Sequence, residues 1–169
     1  MLASILRDLQ QPEYVHTLLN PLPIYGLGVA LAGLILALIS KSRPAEVTAL
    51  ALVFISAAAA WPTARFGERA YNNILTLADE DGRAWLEAHA ERAESLLYAY
   101  YCLAALAAAA IFLPRKWRRS ARPLAVATLI FAVVSLGAGA SIAYAGGKIR
   151  HREFRTVPPP EKKPTAQRG

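Results

Sequence analysis

The sequence predicts an all-α fold: a four-transmembrane-helix up-down bundle with a short extramembrane helix between spans two and three. Three observations lead there. Hydrophobic residues make up 55% of the 169 positions and charged ones only 18%, more apolar material than one soluble core of this size can hide. The charges gather in clusters and leave four stretches nearly free of them, 22–40, 46–64, 95–113 and 124–145, each close to the ~20 residues that cross the hydrocarbon as a helix. Prolines punctuate these stretches: Pro21 and Pro23 open the first, Pro44 the second, and Pro114 and Pro123 flank the connection from the third to the fourth.

Taken in order, residues 1–20 form an N-terminal amphipathic segment, with Leu2, Ile5, Leu6 and Leu9 on one helical face. The first span is too long, and starts too far into the chain, for a signal peptide, so it is expected to stay. Pro62 is expected to kink or end the second span. Beyond it, Phe66, Ala70, Ile74 and Leu77 recur at helical spacing, and Asp79-Glu80-Asp81-Gly82 forms a turn in which Asp81 can cap the helix that runs into span three. That acidic triplet reads as a solvated cap, because it lacks the spaced ligands of a calcium loop. Tyr98, Tyr100 and Tyr101 suit an interfacial aromatic belt. In span four, Ser135, Gly139 and Ala143 recur every four residues, which suits a seam where a neighbouring backbone comes close, although small residues scattered through an Ala-rich chain read the same way. The four-helix transmembrane domain thus covers 21–155, and 156–169, with Pro158 to Pro160, reads as a flexible Pro-rich tail.

Charge sets the orientation. Lys41, Arg43, Arg115, Lys116, Arg118, Arg119 and Arg122 crowd two short connections that hold no acid, which assigns those connections to the cytoplasmic side. Both termini and the 65–94 connection then face outward, the periplasmic side in a bacterial inner membrane. Lys148, Arg150, Arg152 and Arg155 pull the other way and are outweighed. A basic chain suggests nucleic acid, but these cations flank apolar runs, so topology accounts for them and the lipid bilayer is the partner.

Only His16, His89 and His151 are histidines, each about six residues outside a span on the outward side. Neutral imidazole is the commonest metal ligand and also serves haem iron, so the three are candidate ligands for a haem b or a transition metal, with diagonal helices one and three supplying two axial imidazoles. Glu91 is a candidate outer-shell acceptor. Ordinary interfacial histidines beside helix ends are the competing reading. Cys102 stands alone, which excludes a disulfide framework and covalent haem attachment. No Ser-His-acid order, G-x-S-x-G or H-E-x-x-H occurs, so no catalytic residue is assigned and the chain reads as an electron-transfer component rather than an enzyme. Ionisable residues in the spans, Glu46 and Arg65, lie near their ends, against an ion-coupled transporter. The second functional reading is a non-catalytic accessory subunit of a larger membrane complex, docked through the small-residue face of span four.

Three short stretches carry a further signal. "HTLLNPLPI" is similar to a family opening of the form H-P-x-x-V-H-F-P-I, with His16 at its first histidine and Pro21 at its second. "GERA", followed by "HAER", resembles a G-E-x-A segment ahead of a helix-opening H-x-E and brings in His89, and "GGKIRH" resembles a Gly-Gly-then-His close that brings in His151. Over roughly residues 14–154 the chain therefore resembles the bacterial predicted membrane protein family designated domain of unknown function 2231 (DUF2231). That resemblance implies a four-helix membrane domain, joined in other proteins to redox modules, and hence a haem or metal role with a redox protein as partner.

Overall fold

The computed structural model describes residues 2–160, with side chains from Ser4 onward. The side chain of Leu2 and residues 161–169 of the Pro-rich tail lie outside the described part. Among the described residues all regular structure is helical: α1 (Leu2–Asp8), α2 (Pro12–Leu19), α3 (Leu27–Ser40), α4 (Arg43–Ala58), α5 (Ala60–Leu77), α6 (Glu80–Phe112) and α7 (Ala121–Arg150). By continuity these make four runs long and apolar enough to cross a membrane, Pro12–Ser40, Arg43–Leu77, Glu80–Arg115 and Arg118–Arg150.

Proline explains the interruptions. Between α2 and α3 the chain widens into one π turn, Leu22–Gly26, where the Leu27 N–H reaches back to the Leu22 carbonyl. Pro23 has no N–H to give the ladder, and its ring opposes the carbonyl four residues earlier, so an extra residue is taken up there. Pro62 acts on Ala58, the residue four before it, and α4 ends at that residue before α5 resumes at Ala60.

The helix expected between spans two and three is α5, 18 residues long and continuous with the second apolar run, and the helix expected to run into span three is α6, 33 residues long. One expectation is corrected: the cap of α6 is Asp79 and not Asp81. Asp79 holds the extended backbone a cap needs, and its Oδ1 accepts the Gly82 N–H at 2.9 Å, whereas Asp81 already lies in the first turn.

The core is built of small side chains. α3 packs on α4 and α7, α4 on α6, and α6 on α7. Leu27, Leu34, Leu50, Val53 and Leu103 are fully buried among alanines that include Ala30, Ala57, Ala107 and Ala132. The large apolar residues face away from the protein, Val29 and Ile39 each 71% exposed. In water that distribution is costly; in hydrocarbon it is the economical one, since lipid tails meet the outer side chains and small residues let helices approach closely. The small-residue face of α7 is consumed inside this packing. Ser135 is fully buried and its Oγ donates to the Phe131 carbonyl at 2.9 Å. At Gly139 a Cβ would stand 2.1 Å from the Tyr100 hydroxyl and 3.3 Å from Ile24 Cγ1, while Ala143 is half-buried. The face expected to receive a larger complex at Gly139 is therefore filled by Tyr100 and Ile24 of the same chain.

Arg155 ties the start of α6 to the end of α7, and Arg152 Nε also lies 2.8 Å from Asp79 Oδ2. Arg155 donates to both carboxylate oxygens of Asp79, each at 2.9 Å, and to the Lys148 and Ile149 carbonyls at 2.8 and 2.9 Å. It thus satisfies the last carbonyls of α7 and ties them to the capping residue of α6. Gly82 makes room for this, because a Cβ there would lie 2.6 Å from both Asp79 Oδ1 and the Ile149 carbonyl. Beside it, Lys148 is 2% exposed, its ammonium 2.6 Å from the Tyr144 hydroxyl and 4.5 Å from the centre of the Trp85 ring.

Gly139→Ala should destabilise the protein by ~1–3 kcal/mol through overpacking. Gly137→Ala is the control, since its Cβ would meet nothing within 4 Å. Unfolding in detergent micelles measures the difference, and equal stability of the two variants would contradict the assigned seam. The Arg155 hydrogen bond, then the Gly82 N–H, hold the Asp79 carboxyl below its usual 3.8. Its stabilising effect is complete above that value and is lost as pH falls below it, so hydrogen exchange across residues 150–156 should quicken only in that acid range.

Candidate functional site

His16 sits on α2, six residues before the π turn, and its Nδ1 lies 2.8 Å from the Thr63 carbonyl of α5. His89 sits on α6, and its Nδ1 lies 2.9 Å from the Ile142 carbonyl of α7. A carbonyl only accepts, so in both rings Nδ1 carries a proton and donates it, and in the neutral ring Nε2 is the nitrogen that holds the lone pair.

Four residues past each accepting carbonyl stands a glycine. A Cβ on Gly67 would lie 3.0 Å from Nδ1 and Cε1 of His16, and one on Gly146 would lie 3.0 and 3.1 Å from the same atoms of His89. Each ring therefore rests on bare backbone one helical turn from its acceptor. The same device occurs twice, once in the α2/α5 pair and once in the α6/α7 pair. The two rings face one another across the gap between the pairs, with centroids 6.2 Å apart and planes at 87°.

The gap is a cleft of about 960 Å³ with both histidines on its wall. α2 packs along α5 and α6 along α7, and the cleft is lined from all four helices. Glu13, Glu68, Glu87, Glu91 and Glu94 line the cleft, and Arg150 is the cation on its wall among the described residues. Below the imidazoles lies a narrower apolar cavity that also touches His16, Asn20 and His89 and is walled by Tyr100 and Gly139.

The expected layer of three histidines is a pair. α7 ends at Arg150, His151 leaves the helical path with φ −94° and ψ 94°, and the Arg152–Phe154 turn carries it away. Its ring stacks on Phe154 at 4.9 Å, its Nδ1 is 2.8 Å from Glu153 Oε1, and its side chain is 57% exposed. Among the described residues no three His, Cys, Asp or Glu side chains gather in a metal-binding group. Glu91 stands on the cleft wall, and the acceptor that orients His89 is the Ile142 carbonyl. Thr63, Gly67, Ile142, Gly146 and Tyr100 are the residues that sequence reasoning missed. Three of them were in view: Gly67 as the glycine of "GERA", Gly146 as the first of "GGKIRH", and Tyr100, expected in an aromatic belt with Tyr98 but 2% exposed inside the bundle.

Gly67→Ala and Gly146→Ala should each push one imidazole off its carbonyl. Nitrogen NMR of labelled histidine reads this directly: each substitution should move the Nδ1 signal of its own partner, His16 or His89, and leave the other unchanged. Unmoved signals in both variants would refute the steric role of the glycines. No protein-family profile, curated protein or solved structure matches this chain.

Proposed function

We propose that this chain is an integral membrane protein whose four apolar runs cross the bilayer as an up-down bundle, and that His16 and His89 ligate a haem b at its outward rim for electron transfer. The observation that carries this reading is the pair of imidazoles on one shared cleft, each fixed through Nδ1 to its own carbonyl. Their ring centres are 6.2 Å apart, and these two side chains would hold a metal centre between them, which would supply one-electron chemistry there.

A macrocycle suits the pair better than a bare ion. A bare divalent ion such as zinc takes about four protein or water ligands, and no third side chain joins the pair among the described residues. A haem brings its own four equatorial nitrogens and asks the protein for two. The cleft has the volume for a large flat ligand. When bound, the haem supplies one-electron chemistry, and the protein orients it and sets its electrostatics. Arg150 is the residue that would pair with its carboxylates, while the rim glutamates favour the more positive, oxidised state and so a low potential. The basic connections at 41–44 and 114–123 support the outward orientation of the site, and likeness to the DUF2231 membrane family belongs to the same reading.

Protein purified from its native membrane in mild detergent should show a Soret band and, when reduced, the sharp visible bands of bis-imidazole haem at near one haem per chain. His16→Ala and His89→Ala should each lower haem content at least tenfold, and His151→Ala should retain it. Colourless, metal-free wild-type protein would overturn the proposal. Its co-purification with a larger complex would then favour an accessory subunit.

A further inference from the structure

The apolar cavity below the imidazoles contains one polar group that nothing yet explains. Tyr100 is 2% exposed, and its hydroxyl is buried with no hydrogen-bond partner in the protein. That hydroxyl lies against the Cα of Gly139, and both residues wall the cavity whose upper end is His16 and His89. A buried hydroxyl without a partner is costly, and such groups in folded proteins are rare. Here Gly139 keeps the space open for it. A phenylalanine would avoid the cost, so the hydroxyl has a use that the chain alone does not satisfy.

We propose that the inner cavity binds a neutral carbonyl oxygen carried on a flat conjugated ring, and that Tyr100 donates the hydrogen bond that holds it. The surroundings select that chemistry. The phenol offers one O–H at the end of an apolar passage, which suits a single neutral acceptor, whereas a carboxylate there would bring an unpaired charge into an apolar wall. The cavity is narrow and continuous with the residues that flank the imidazoles, so the ring bearing the carbonyl lies edge-on beneath them. Two sources share this chemistry: a formyl group on the buried edge of the macrocycle, and a free quinone that enters from the lipid. The first source rests on the bis-imidazole reading given above, with a formyl-bearing macrocycle in place of haem b; the second is tested without it.

The experiment uses the full chain in detergent, wild type and Tyr100→Phe. The hydroxyl has no partner to lose, so the variant should fold with at least wild-type stability. Three probes are added separately: haem b, a formyl-bearing haem, and a short-chain benzoquinone offered to ligand-free protein. Infrared difference spectra read the carbonyl stretch, and titration reads affinity. The proposal expects a lowered carbonyl frequency for the formyl haem or the quinone in wild type, a return toward the unbonded frequency in Tyr100→Phe, and about tenfold weaker binding of that probe, the size of one neutral hydrogen bond. Haem b, which has no such carbonyl, should bind both proteins alike. Equal frequencies and affinities in the two proteins for every probe overturn the inference, even if a Soret band shows that His16 and His89 do ligate haem. If the quinone signal depends on Tyr100 and no haem binds, the haem reading fails and the carbonyl site stands.

Discussion

The half of this protein that holds the cleft depends on a backbone carbonyl one turn ahead of a glycine. Within an α-helix a carbonyl spends one lone pair on the N–H four residues later, and the second remains for an outside donor. A side chain usually hides it. With glycine at that later position the approach is clear, and an imidazole lies flat on the helix with Nδ1 on the oxygen. The arrangement fixes tautomer and direction together. It also holds both imidazoles on helices rather than on loops.

Such precision needs helices whose spacing does not drift, and two features of the packing supply it. Toward the 41–44 and 114–123 connections the contacts between α3, α4, α6 and α7 run largely through alanine around a few buried leucines, so the axes are close and many larger apolar side chains are left on the outer surface. At the other end Arg155 joins the start of α6 to the end of α7 through Asp79, and the caged Lys148 adds a contact with Trp85. Arg92 strengthens the same pair by donating to the Ser141 carbonyl at 2.8 Å, one residue from the acceptor of His89. The cleft opens where this packing stops, and its lining changes at the level of the imidazoles from Ala, Leu and Ile to glutamate and tyrosine.

Much of this was legible in the sequence, for physical reasons that also mark where legibility ended. Apolar runs and prolines locate helices because hydrocarbon thickness and the missing proline N–H act locally; Pro62 ending α4 at Ala58 is a case. The choice of cap between Asp79 and Asp81 is not local, since both are competent and the choice falls where Arg155, 76 residues away in sequence, can reach. His16 and His89 meet at the level expected from their depth outside the apolar stretches, because the helical path runs on through that level, with a π turn after His16. Depth failed for His151, because α7 ends one residue earlier and the backbone turns. The glycines were visible in their motifs, but their purpose appears only once a ring lies on them.

The repetition of the device has an energetic consequence. His16 and Thr63 are 47 residues apart, His89 and Ile142 are 53 apart, and each couple lies wholly within one helix pair. Neither pair holds both imidazoles, so the site exists only where the pairs face each other. Any ligand that used both imidazoles would join two halves that also meet where Tyr71, Ile74 and Leu75 of α5 pack against Trp85, Leu86, Ala145 and Ile149. Its binding free energy would add to that cohesion, by the general rule that a ligand bound only by the assembled state stabilises it. The open cleft and the paired rings are thus parts of one arrangement: two half-sites, each held by its own carbonyl and glycine, on one shared wall.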